Sequence, residues 1–179
     1  MPQTPAAAPA PEPAPEDPRD PVDAITDQWA AVRPDLETLP MAVFGRLWRI
    51  EQAMAVRMER TYKRFGISRG EFDVLATLRR SGEPYTLSPR QLSATLMVTT
   101  GGMTGRLDKL ERAGWLARSP DPHDRRGLRV TLSERGVEMI DAAVAAGLDV
   151  QREALESALD ADAAAQLNAL LRPLLKAVE

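Results

Sequence analysis

The chain has 179 residues, 44% of them hydrophobic and 27% charged, enough for one compact domain with a sizeable core and some appended length. With no cysteine and a single histidine, disulfides, thiolate metal sites and thiol redox chemistry are excluded, and no apolar run approaches the roughly 20 residues of a membrane helix. The net charge of −3 hides an asymmetry: from Arg46 to Arg135 there are 18 Lys/Arg against 10 Asp/Glu, a local +8, while the remainder carries −11, so a basic middle between acidic ends points to a polyanion-binding surface.

Residues 1–20 are rich in Pro, Ala and Glu with almost nothing to bury, and are expected to form a disordered tail. They lack the basic-then-apolar order of a secretory signal, so a cytoplasmic protein is expected. Asp20 before Pro21 is a plausible N-cap with proline at the first helical position, opening a short helix that stops before Pro34 and puts Ile25 and Trp29 on one face. A long helix follows from about Met41 to Phe65, with Val43, Phe44, Leu47, Ile50, Met54, Met58 and Phe65 at mixed three and four spacing, ending at Gly66.

Ser68 and Glu71 form a capping box ahead of Phe72, Leu75 and Leu78, and Ser88, Pro89 and Gln91 do the same for the helix "PRQLSATLM". A helix opened by Thr99, "TTGGMTGRLDKLERAGW", follows after about three residues, and two short helices joined so tightly are the signature of a helix-turn-helix. After Gly114 the period changes. "WLARS" and "LRVTL" read as two strands joined by the turn-rich "PDPHDRRG", a β-hairpin with a basic tip, and the order helix, helix, helix, hairpin describes a winged helix. Ser133 and Glu134 start a helix running to about Ala158, and Asp162 caps a last one interrupted by Pro173. The terminal helices carry broad apolar stripes with no partner inside a winged helix and are assigned to dimerisation.

The expected fold is therefore mainly α with a small β-hairpin wing: a winged helix-turn-helix with N- and C-terminal dimerisation helices. Its divisions are a tail at 1–20, N-terminal helices at 21–66 for dimerisation and ligand, a DNA-binding domain at 67–132, and C-terminal dimerisation helices at 133–179. Thr99, Thr100, Gly101, Gly102, Thr104 and Gly105 make the start of the reading helix small and hydroxyl-bearing, so its backbone can approach DNA closely; the alternative is that the glycines only permit close packing. Arg125 is the first choice for insertion in a narrow minor groove, with Arg126 near phosphate, and Arg69, Ser88, Arg90 and Gln91 at helix starts are candidate phosphate contacts. Arg106 lies beside the apolar stripe of Met103, Leu107 and Leu110, and Asp73 sits between Phe72 and Val74, so both charges must pair or bind something; a structural Arg106–Asp73 pair and an anion site are both open. Phe44, Trp48, Met54, Met58, Tyr62 and Phe65 are assigned mostly to core or dimer interface. Asp121, His123 and Asp124 are acceptable metal ligands, but no second histidine can complete a site, and no catalytic constellation or cofactor motif is present.

The stretch "GWLARSPDPHDRRGLRVTLSERG" resembles the wing of the MarR family of transcriptional regulators, with Asp124, Arg125, Arg126, Val130, Leu132, Ser133 and Gly136 matching the family pattern, and the resemblance extends from about Met41 to Glu179. It implies a homodimeric regulator, expected to act as a repressor, bound to a palindromic double-stranded operator. "QWAAVRPDLETLP", "EFDVLATLRRSG", "LMVTTGGMTGRLDKLERAG" and "ARSPDP" are similar to the urate-responsive branch of that family. That resemblance implies an anion pocket of Trp29, Asp73, Arg106 and Arg118 for a small planar anion such as urate. Other purines, tricarboxylates such as aconitate or citrate, and phenolic acids stay open as ligands, as do a ligand-independent regulator and a non-DNA helical adaptor.

Overall fold

The computed structural model describes residues 19–96, 102–122 and 124–179, with the backbone alone at Arg125 and Arg126. Residues 1–18 of the expected tail, Thr99, Thr100, Gly101, His123 and the Arg125 and Arg126 side chains lie outside the described residues. The elements run α1 (Pro21–Val32), α2 (Leu39–Lys63), α3 (Arg69–Arg80), β1 (Thr86–Leu87), α4 (Pro89–Thr95), α5 (Met103–Arg112), β2 (Leu116–Asp121), β3 (Asp124–Leu132), α6 (Glu134–Glu156) and α7 (Ala161–Val178). Two compact units divide between Glu51 and Gln52, within α2.

In the first unit, α1 starts where Asp20 accepts the backbone N–H groups of Val22 and Asp23 while Asp23 accepts that of Asp20, satisfying N–H groups that a helix start leaves without partners. Arg46 on α2 reaches back to both carboxylates, at 2.7 Å to Asp20 and 2.6 Å to Asp23, and holds each below the usual carboxylate range together with the capping N–H groups. Large apolar side chains nevertheless remain exposed here, among them Trp29, Phe44 and Trp48, the last at 63%.

The second unit has its core where α3, α5, α6 and the sheet meet: Val74, Leu75, Leu78, Leu92, Leu110, Val130 and Ile140 are fully buried. Met58 and Tyr62 from the end of α2 complete it, with the Tyr62 ring stacked on Phe72 at 3.8 Å between centroids, and burial pushes the Tyr62 phenol up to about 12. Capping boxes at Ser68/Glu71 and Ser88/Gln91 fix the starts of α3 and α4, and Ser133 accepts from the Gly136 N–H at the start of α6.

The sheet is antiparallel in the order β1-β3-β2. β1 was not expected; its two residues pair Thr86 with Thr131 and Leu87 with Val130, and the two threonine hydroxyls meet at 2.8 Å. The hairpin is longer than its turn residues suggest, since "PD" and "DRRG" belong to the strands. Pro120 pairs with Leu128 but Asp121 with Asp124, so the stretch from Arg125 to Gly127 bulges from the ladder, the kind of irregularity that bends a strand.

Four further expectations are corrected. The helix opened by Thr99 begins instead at Met103, because Gly102 stands before it at φ +75°, a left-handed conformation that glycine adopts without steric cost and that cannot continue a helix. The "PRQLSATLM" helix ends at Thr95, with Leu96 already extended. The cap of the last helix is Asp160, whose carboxylate accepts from the Ala163 N–H, and not Asp162. Pro173 lies inside α7 without ending it. No residue of α7 is buried, and Leu170 is 70% exposed. Among the described residues, no helix is long and apolar enough to cross a membrane.

Candidate nucleic-acid interface and ligand site

The helix-turn-helix is set by its caps. At α4, Ser88 and Gln91 are engaged with each other's backbone, the Ser88 N–H donating to Gln91 Oε1 at 2.8 Å and the Gln91 N–H to Ser88 Oγ at 3.2 Å, so both orient the helix while Arg90 between them is exposed. Arg69 at the start of α3 is also exposed, and its N–H donates to Glu59 at 3.0 Å. Leu107 and Leu110 bury one face of α5, whereas Gly102, Thr104 and Gly105 lie exposed at its start. Gly102 supplies no side-chain cap, so the first N–H groups of α5 face outward without one, and a Cβ placed on Gly105 would meet nothing within 4 Å. The result is an exposed small-residue face on a helix whose other side is anchored in the core.

α5 is further fixed by ion pairs that sequence reasoning missed. Lys109 donates to the buried Glu71 carboxylate at 2.8 Å, and although burial pushes Glu71 up, the Lys109 and Ser68 contacts outweigh it and leave it below its usual range. On the wing side, Arg118 at the base of β2 is clasped by two carboxylates of α5. Its guanidinium lies 2.7 Å from Asp108 Oδ1 and 2.5 Å from Glu111 Oε2, and its backbone N–H donates to Glu111 Oε1 at 2.9 Å. The bonds to Glu111 and Asp108 raise the Arg118 pKa, and Arg118 in turn holds Glu111 down. Spacings of seven and ten residues across a helix end and a turn gave no local signal for this clasp. It joins α5 to the wing.

Of the four residues expected in the anion pocket, Trp29 belongs to the first unit and Asp73, Arg106 and Arg118 to the second. Arg106 projects from α5 onto α3, where its guanidinium lies over Gly70; a Cβ there would come within 2.8 Å of Nε and 2.9 Å of Cζ, so a side chain at Gly70 would push the guanidinium aside. Asp73, one turn further along α3, is 5% exposed, with Arg80 Nη1 at 4.0 Å. Arg106 and Asp73 therefore approach the same stretch of α3, while Arg118 is occupied by Asp108 and Glu111. Among the described residues, no group of three or more His, Asp or Glu could hold a metal ion.

The comparisons with known proteins agree with this architecture. The family model for the MarR family matches residues 65–127. The HTH-type transcriptional regulator PecS of Dickeya dadantii is 40% identical over 134 residues, covering 75% of this chain and 81% of that protein. The multiple antibiotic resistance protein MarR of Salmonella typhimurium is 34% identical over 110 residues, 61% of this chain and 74% of that protein. Among solved structures, a mutant MarR from E. coli complexed with operator DNA superposes with a TM-score of 0.63 at 28% identity, covering 82% of this chain and 97% of that one. AbsC of Streptomyces coelicolor, at 18% identity, shares the fold with a TM-score of 0.69 over 80% of this chain and 96% of its own. With the winged helix-turn-helix in place and a relative of this identity covered over four-fifths of its length, the chain belongs to the MarR family of DNA-binding transcriptional regulators, which are not enzymes.

Proposed function

We propose that the protein is a homodimeric, ligand-responsive repressor acting in the cytoplasm, released from a palindromic operator by a small planar anion of the urate type. The carrying observation is the seat of Arg106: a cation on the reading helix packed over Gly70, one turn from the buried Asp73, so that a ligand engaging it acts directly on the element that reads DNA. Residues 21–66 and 133–179 pair the copies, supported by the exposed apolar side chains of Trp29, Phe44 and Trp48 and, separately, of Leu167, Leu170 and Leu175. Residues 67–132 read DNA, with α5 in successive major grooves and the wing in flanking minor grooves; the solved complex of an E. coli MarR with operator DNA supports this docking. Thr99, Thr100, Gly101, Gly102, Thr104 and Gly105 form the reading face, Arg125 and Arg126 the wing contacts, and Arg69, Ser88, Arg90 and Gln91 the phosphate contacts.

Within the second unit, Asp73, Arg106 and Arg118 hold the anion. Asp73 disfavours a polycarboxylate and favours a ligand with N–H donors. A second reading is favoured by the Asp108–Arg118–Glu111 clasp, which gives Arg118 a structural role and leaves a regulator independent of ligand. A mobility-shift titration on the chain's own promoter region separates the two: urate releasing the duplex supports the first, and no release at millimolar purine, tricarboxylate or phenolic acid supports the second. Arg125→Ala is expected to weaken operator binding with dimerisation intact, and wild-type affinity would remove the wing from the interface.

A further inference from the structure

We infer that Arg80 is the positioning residue through which Asp73 governs the end of α4, the first helix of the helix-turn-helix; the inference rests on the ligand reading above and deepens it. Arg80 is the last residue of α3. Its Nη2 donates to the carbonyl oxygen of Thr95 at 2.5 Å. Thr95 closes α4, where the last carbonyls lack N–H partners within the helix and carry its negative end, so a guanidinium there both satisfies an acceptor and fixes how the chain leaves the helix. At Leu96, directly after the helix, the backbone is extended, at φ −68° and ψ 143°.

The same guanidinium reaches back along its own helix, with Nη1 4.0 Å from Asp73 Oδ1. Asp73 and Arg80 stand seven residues apart, two turns on one face of α3, and Gly70, under the Arg106 guanidinium, belongs to that face as well. In order along α3 come the Arg106 seat, the buried carboxylate and the arginine that holds the end of α4. Asp73 is almost fully buried, so a charge placed beside it is poorly screened. An anion bound against Arg106 displaces that carboxylate, the shared guanidinium follows, and its hold on Thr95 changes with it. By linkage the operator, which needs α4 held in one position, resists the ligand to the same degree.

The test uses the full chain, its promoter duplex and urate, with operator affinity read by fluorescence anisotropy and urate affinity read on DNA-free protein by tryptophan fluorescence. Arg80→Gln is expected to lower ligand-free operator affinity about tenfold and to shrink the urate-induced loss of affinity to about a third of the wild-type factor or less. Urate binding to DNA-free protein is expected to stay within about twofold, and Arg80→Lys, which keeps the charge without the planar fork, to restore operator affinity in part. A merely structural role would weaken operator binding equally with and without urate; an unchanged ratio overturns the inference. If urate fails to bind the wild type, the ligand reading falls by itself and the ligand-free cycle of Arg80→Gln, Asp73→Asn and the double variant decides. Non-additivity of about threefold or more in operator affinity supports the inference, and additive effects refute it.

Discussion

Gly136→Ala tests whether the wing and α6 are joined as tightly as the backbone implies. A Cβ at this position would fall far inside van der Waals contact of the Trp115 carbonyl oxygen, 3.0 Å from its carbon and 3.1 Å from Leu132 Cδ1. The carbonyl cannot withdraw easily, because it accepts from the Ser133 N–H and from Ser133 Oγ, both at 3.1 Å, while the Trp115 N–H is held by the Leu110 carbonyl at 3.0 Å. Overpacking against backbone costs about 3 kcal/mol. Displacing Gly136 from Ser133 Oγ removes the α6 cap and costs about 1 kcal/mol more, against a gain of about 0.5–1 kcal/mol from replacing glycine in a helix. The net, about 3 kcal/mol, corresponds to a loss of about 6–12 °C in Tm for a chain of this size. Thermal unfolding followed by circular dichroism at matched protein concentration measures it. A Tm within about 2 °C of wild type, or above it, refutes the reasoning that Trp115 and Gly136 are in backbone contact.

Thr77→Val should stabilise the protein by about 1 kcal/mol, because the Thr77 hydroxyl is buried without a hydrogen-bond partner and the isosteric valine removes it; denaturant titration showing a loss of stability would contradict this. Gly105→Ala should separate stability from function: open space and helical backbone predict a gain of about 0.5–1 kcal/mol in Tm measurements. The same methyl on the proposed reading face should weaken operator binding, and unchanged affinity would take Gly105 out of the interface. The pH response of the wing clasp follows from Glu111, whose folded pKa lies below its ordinary value of 4.5 through its bonds to Arg118. A depressed carboxylate contributes its stability above the unfolded value and loses it as pH falls through the lower folded one. The attachment should thus hold at pH 5 and fade below about 4.5. Near-ultraviolet circular dichroism checks this, with Glu111→Gln expected to lack the contribution.

The features legible in the sequence were those whose cause is local. Asp20, Ser68, Ser88 and Ser133 each cap the helix they were expected to cap, because a side-chain oxygen three residues before the N–H it accepts is a short-range event. β1 was missed because a two-residue strand has no period of its own and exists through its pairing with β3. The first of two competing aspartates, Asp160 rather than Asp162, won the last cap, and Gly102 was read as helical because its left-handed backbone leaves no mark in residue type beyond glycine itself. At the site, the sequence showed that Arg106 and Asp73 needed partners but not where those would come from. Gly70 beneath Arg106, the Arg118 clasp on α5 and the Arg80 bond to Thr95 all depend on how helices pack.

The last helix has a consequence for the protein's life in the cell. An 18-residue helix with no buried side chain has little to hold it apart from its own hydrogen bonds, which are marginal in water for a segment of that length. If, as proposed above, this helix pairs two copies, a lone chain carries it with bare leucines. Abundance then sets the fraction of molecules fit for duty, and dilution alone would lower the melting point and invite proteolysis from that end.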